Sequence, residues 1–260
     1  MSETRVTAAV LLIGDEVLSG RTQDVNLQTI AKFLAPLGVQ VGEARVVADV
    51  PEAIIAAVNE LRAKYDYVFT TGGIGPTHDD KTADAMAAAF GVSIDVRADA
   101  RAILESAYKS GAPLNEARLR MARIPDGASL IANPVSKAPG FQLGNVFVMA
   151  GVPSVMRGML EDVGPRLKGG AVVRSVTVRG AKLREGDVAA GLAALEAASS
   201  GAVFGSYPWF GPDGYGAHLV ARSADPAALE KAETDLVALV RSLGVEPEIV
   251  NETEKAPPRN

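Results

Sequence analysis

The chain has 260 residues, 48% hydrophobic and 22% charged, with 26 Lys and Arg against 31 Asp and Glu, no cysteine and two histidines. That length suits one large domain, or a medium one with a smaller companion. The lack of cysteine excludes disulfides, thiolate nucleophiles, iron–sulfur clusters and cysteine-ligated zinc, and the distance between His78 and His218 leaves no histidine-built metal motif. Any metal would be an oxygen-ligated hard cation. The cations are scattered, no apolar run approaches the ~18 residues of a membrane span, and the N-terminal apolar run is too short for a signal segment. We therefore expect a cytoplasmic protein with neither nucleic acid nor membrane as a partner.

In chain order, residues 6–13 (VTAAVLLI) form a nearly continuous apolar run ending at Gly14, the pattern of a strand buried on both faces of a parallel sheet. A helix follows, with Leu27, Ile30, Phe33, Leu34 and Leu37 at three- and four-residue spacing and an exit at Pro36 and Gly38. Residues 39–47 alternate like a strand, and Asp49 is placed to cap a helix with Pro51 in its first turn. A third strand at 65–71 runs into a glycine-rich turn. The helix after it is expected to start near Asp79 and Asp80 and to end at Phe90 and Gly91. Helices at 98–110 and 115–122, strands at 129–132 and 146–150, and a helix at 154–167 complete this unit.

The alternation of strand and helix predicts an α/β, doubly wound, mostly parallel sheet, with its ligand crevice at the carboxyl ends of the strands. The glycine- and proline-containing stretch 164–170 marks a boundary. Beyond it, strands at 172–178, 202–206, 217–222 and 246–250 with helices at 187–198 and 226–243 give the βαββαβ order of a ferredoxin-like α+β domain. The expected division is 1–168, 169–250 and a polar tail at 251–260.

The chemistry concentrates in TTGGIGPTHDDKT, residues 70–82. Gly72, Gly73 and Gly75 let the backbone turn tightly and approach a ligand, Pro76 stiffens the loop, and Thr77 and Thr82 offer hydroxyls. The following helix presents a positive dipole end suited to phosphate. Asp79 and Asp80 either hold a divalent cation beside that phosphate or cap the helix, and His78 is either a proton shuttle or an exposed loop residue. There is no Gly-Lys pair for a Walker loop, and GGIGP does not fit GxGxxG. Asp15 and Glu16, after the first strand, lie at the mouth of the same crevice or cap a local turn, and Asn26 is a candidate ligand donor. Lys137, in the turn-rich stretch 133–141, is a candidate phosphate contact or a surface lysine. Gly151 sits in an AGVP turn that opens another helix. In the second domain, Tyr207, Trp209, Phe210 and Tyr215 fall in what reads as a Pro/Gly loop.

The strings IGDEVLSGRTQDVN, TTGGIGPTHDDKT, KAPGF and AGVP, with SYPWFGPDGYG in the second domain, resemble the molybdopterin-binding (MoaB/MogA-like) superfamily, and within it the CinA-type branch. The same domain is similar to the N-terminal part of animal FAD synthases. The resemblance implies a MogA-like three-layer fold, a pterin phosphate or nucleotide ligand, and a homo-oligomer. It further implies metal-dependent pyrophosphatase activity on a dinucleotide such as ADP-ribose or FAD, with Mg2+ or a transition metal at Asp79 and Asp80. Asp15, Gly72, Gly73, Gly75, Thr77 and Thr82 would join those two in the binding and catalytic set. The alternatives are a molybdopterin-binding protein of molybdenum cofactor metabolism and a non-catalytic nucleotide-binding module. Ala150 and Val155 stand where the family commonly has proline and glutamate, and Ser136-Lys137 where it has Gly-Thr. Neither the amidase domain that often follows in CinA-type proteins nor an adenylyltransferase domain is expected in these residues.

Overall fold

The computed structural model describes residues 5–108, 114–212 and 214–250, so the expected helix end at 109–110 and the tail at 251–260 lie outside the described residues. The chain divides into two compact units, Met1–Ala171 and Val172–Asn260.

The first unit is built on β1 (Val6–Ile13), which pairs in parallel with β2 (Val39–Val47) on one side and β3 (Tyr67–Thr71) on the other. β3 pairs in parallel with β8 (Val146–Met149), β8 is antiparallel to β7 (Gly140–Leu143), and β7 is antiparallel to the edge strand β6 (Ser129–Ile131). The order is β2-β1-β3-β8-β7-β6, so β7 alone runs against the rest. The apolar run in β1 has the predicted cause. Ala9, Leu11 and Ile13 enter one core with α3 (Pro51–Lys64), α4 (Thr82–Phe90) and α5 (Ala98–Tyr108), while Ala8, Val10 and Leu12 enter another with α2 (Asn26–Leu34) and α7 (Pro153–Val163). With period-2 side chains, both faces must then be apolar. Phe69 of β3 and Phe147 of β8 stack in the second core at 5.1 Å between centroids. The short helices α1 (Asp15–Leu18) and α6 (Glu116–Leu119) and the two-stranded pair β4 (Ile94–Val96) with β5 (Arg123–Pro125) complete the unit.

Three expectations change. α4 begins at Thr82, so Asp79 and Asp80 belong to the preceding turn and not to the helix. Residues 140–143, read with the turn-forming stretch before them, are a strand in the sheet. α3 has Val50 at its N-cap with no side-chain cap, so Asp49 does not cap it.

The second unit runs β9 (Arg174–Ala181), α8 (Glu185–Ala198), β10 (Val203–Gly211), β11 (Gly214–Ser223), α9 (Pro226–Ser242) and β12 (Pro247–Val250). The sheet order β10-β11-β9-β12, antiparallel throughout, is the ferredoxin-like arrangement. Val178, Ala217, Leu219 and Ala221 pack on Leu229, Leu236 and Val240 of α9. Tyr207, Trp209 and Phe210 lie on β10 and Tyr215 on β11, so this aromatic group is part of the sheet and not a loop. Among the described residues no helix is long and apolar enough to cross a membrane.

Candidate functional site

The carboxyl ends of β1, β2, β3 and β8 lie along one edge of the first sheet, and the turn after β3 is its tightest feature. Gly72 has φ 106° and Gly73 φ 66°, both in the region that favours glycine. A Cβ on Gly72 would lie 2.0 Å from the Ile13 carbonyl oxygen, and one on Gly73 would lie 2.2 Å from Thr82 Oγ1. The turn is held by its own neighbours. The Gly72 N–H donates to the Met149 carbonyl at 3.2 Å, and the Thr82 N–H donates to the Gly73 carbonyl at 3.0 Å. Thr82 is fully buried and its hydroxyl donates to the Gly72 carbonyl at 3.0 Å, so it fastens the turn and does not face the crevice. Gly151 serves the same purpose from the β8 side, because a Cβ there would lie 3.3 Å from Gly72 Cα.

Beyond the glycines, Asp80 turns back on its own loop. Its carboxylate accepts from the Thr77 N–H at 2.8 Å and from the Thr77 hydroxyl. Pro76, His78 and Asp79 are exposed. Hydrogen bonding from Thr77 and the nearby His78 and Lys81 hold the Asp79 carboxyl below its ordinary range, so it is an ionised acid at the mouth. Of the two aspartates, Asp79 is the more exposed, and Asp80 braces the turn.

At the ends of β1 and β2 the exposed Asp15 and Glu16 meet a residue that sequence reasoning misplaced. Asp49 Oδ2 accepts from the Asp15 N–H at 2.9 Å. Burial raises the Asp49 proton affinity, and the negative charges of Glu16, Asp15 and Asp79 raise it further. Asp49 is therefore a partly desolvated carboxylate within the field of three others. The available signal was topological: β2 is parallel to β1, with Val47 opposite Ile13, so the residue two past its end belongs to the same edge.

Asn26 is buried at the start of α2, and its Nδ2 donates to the Gly151 carbonyl at 2.7 Å. That acceptor fixes the amide orientation and leaves Oδ1 buried without a partner. Lys137 is exposed with φ 67°, in a turn stitched by Asn133, whose side chain accepts from the Val135 and Ser136 N–H groups and donates to the Ala138 carbonyl. Val155, in the position of the family's glutamate, is 8% exposed and packs with Met156 and Met159 in the α2/α7 core. The carboxylates supply oxygen donors suited to Mg2+, yet among the described residues no group of three or more acidic or histidine side chains is arranged to enclose an ion. Mg2+ does not require such a cage, since it commonly takes one or two carboxylates with phosphate oxygens and water.

The chain matches the family model described as "Probable molybdopterin binding domain" over residues 9–169, and that described as "FAD synthase, middle domain" over 175–248. A CinA-like protein of Gemmatimonas aurantiaca is 36% identical over 245 residues, covering 89% of this chain and 57% of that protein. Another, from Citrifermentans bemidjiense, is 43% identical over 167 residues, covering 62% and 40%. The chain spans about half the length of the curated relatives it matches. The crystal structure of a CinA protein of unknown function from Thermoplasma acidophilum superposes with a TM-score of 0.59 at 34% identity, covering 63% of this chain and 99% of that one. The chain therefore belongs to the molybdopterin-binding domain family, in its CinA-type branch.

Proposed function

We propose that the crevice along the carboxyl edge of the first sheet binds the phosphate of a phosphorylated heterocycle, either a pterin such as molybdopterin or a nucleotide. The observation that carries this reading is the Gly72-Gly73 turn. Two positive-φ glycines, pressed against Ile13 and Thr82, bring backbone without side chains to the edge just ahead of α4, whose start has no side-chain cap. The family membership supports a molybdopterin-type ligand.

A second reading is metal-dependent cleavage of a pyrophosphate, as in ADP-ribose or FAD. Asp15, Glu16, Asp49 and Asp79 favour it, because they concentrate negative charge at this edge, and that charge adds to burial in raising the Asp49 proton affinity. A bound Mg2+ would relieve this repulsion and polarise the phosphoryl group. In this reading Asp79 and Asp15 hold the ion, Asp49 orients Asp15 through its backbone N–H, and Asp80 keeps the turn in shape.

The two readings separate in one assay. Thermal unfolding is followed with molybdopterin, ADP-ribose or FAD in buffer containing Mg2+, and AMP release is measured against Asp79→Ala and Asp80→Ala controls. A ligand present at about 100 times its Kd stabilises the chain by ~2.7 kcal/mol. No shift with any of the three sinks the binding proposal. AMP release above both controls establishes hydrolysis, and binding without release leaves a binding module.

A further inference from the structure

Behind the phosphate turn lies a pocket whose polar wall the ligand reading does not use. Its lining includes Gly73, Ile74 and Gly75 of the turn, Arg120 and Arg123, and the carboxylate-bearing Asp80 and Asp84. Arg120 belongs to the short turn that follows α6, and Arg123 opens β5. Arg120 Nη2 reaches only the Asp80 backbone carbonyl, at 3.3 Å, and Arg123 Nη2 pairs with the Asp84 carboxylate. The Nε of each arginine is buried without a hydrogen-bond partner. A buried guanidinium N–H left unsatisfied is a cost that packing alone gives no reason to keep, and both arginines belong to the lining of the same small pocket.

We propose that Arg120 and Arg123 form a second anion subsite, which takes a second phosphoryl group when the Gly72-Gly73 turn holds the first. The inference rests on the reading of that turn as a phosphate site. The chemistry follows from the donors. The Nε and Nη groups of one guanidinium present two parallel N–H bonds to two phosphate oxygens, a match that Lys cannot reproduce. The two carboxylates in the pocket do not compete for Arg120. Asp80 is occupied by Thr77, and Asp84 is neutralised by Arg123. Among the described residues, Arg120 has no carboxylate within ion-pair distance, so it is the cation available to the ligand, with Arg123 as its neighbour. The subsite would select ligands with linked phosphates over monophosphates.

The test uses the full chain, with orthophosphate and the non-hydrolysable imidodiphosphate as probes, titrated calorimetrically in buffer containing Mg2+. The wild-type protein should bind imidodiphosphate at least ~10-fold more tightly than orthophosphate. Arg120→Gln should abolish that preference while leaving orthophosphate affinity unchanged, and Arg123→Gln should reduce it. Because the Arg120 Nε is unsatisfied in the fold, Arg120→Gln should also keep or raise Tm, whereas a structural arginine would lower it. An unchanged preference in Arg120→Gln overturns the subsite and leaves the proposed function standing. Failure of the wild-type protein to bind either probe overturns the proposed function and the subsite together.

Discussion

The main sheets of the two units finish their strands in opposite ways. In the first unit, four parallel strands release their carboxyl ends onto one edge, and the helices that follow β3 and β8 there, α4 and α7, start without side-chain caps. In the antiparallel second unit, β10 and β11 pair from Val203↔Arg222 to Gly211↔Gly214, and Asp225 caps α9 by accepting from the Ala227 N–H at 2.9 Å. Its open sheet face consumes its charges as well. The Arg179 guanidinium lies 4.1 Å from the Trp209 ring centroid and its Nη1 pairs with Glu248 at 3.2 Å. Polar groups in the second unit mostly serve one another, while several along the edge of the first are left for something else. Strand direction explains the difference, since parallel strands gather their C-terminal turns on one side and antiparallel strands spend half of theirs on hairpins.

Two glycines put the contrast to its hardest test. Gly72→Ala drives a Cβ to 2.0 Å from the Ile13 carbonyl oxygen in a backbone with φ 106°. Backbone strain and the clash together should cost about 3 kcal/mol or more. Gly214, at the start of β11, has φ 117° but nothing within 4 Å of its would-be Cβ, so Gly214→Ala should cost strain alone, about 1 kcal/mol. Urea midpoints measure both. Equal losses would mean that the Gly72-Gly73 turn is no more constrained than a solvent-facing strand end.

A smaller effect separates a cap from a brace. Asp225→Ala removes the cap of α9 and should lower stability by ~1 kcal/mol without changing ligand affinity. Asp80→Ala frees the Thr77 amide and hydroxyl in a loop already open to water, so its stability loss should be similar or less. Its phosphate affinity should nevertheless fall about tenfold, because the turn loses its shape. Calorimetric titration with orthophosphate beside thermal unfolding reads both quantities. A drop in phosphate affinity for Asp225→Ala would erase the distinction between the two units.

Much of this architecture is written in local pattern. An octapeptide apolar on both faces and ended by Gly14 reads as a strand between two layers, and Gly72-Gly73 after such a strand reads as a turn at its end. The features that escaped depend on contacts remote in sequence. Asp49 followed by Val50-Pro51 has the look of a helix cap, but its carboxylate goes 34 residues back to Asp15, a choice made by the β1/β2 register. β7 is four residues long and follows Lys137 and Pro139, turn signals that conceal its pairing with β8. Arg120 and Arg123 look like ordinary surface cations until β5 and the turn before it bring them to the glycine loop. The site's backbone is thus legible in sequence, and its electrostatics are a product of topology.

The smallest expected effect falls on Asp49, where the sign is fixed by the direction of its shift. Burial and the charges of Glu16, Asp15 and Asp79 raise its proton affinity above the ordinary value of 3.8, so the folded chain binds this proton more tightly than the unfolded one. Stability is then favoured by acid, and it declines as pH rises through the window between 3.8 and the raised folded value. Asp49→Asn keeps an oxygen to accept from the Asp15 N–H and removes the charge. At neutral pH the variant should therefore unfold slightly higher than the wild type, by roughly a degree or two, since solvent at this half-buried position screens the interaction. The gain should vanish below the window, where Asp49 is protonated in both states, and it should shrink when Mg2+ is added, because the cation relieves the repulsion in the wild type alone. A variant less stable than the wild type at neutral pH would show that the ionised carboxylate, through its bond to Asp15, stabilises this edge. The first unit would then hold its charges for the fold, as the second does.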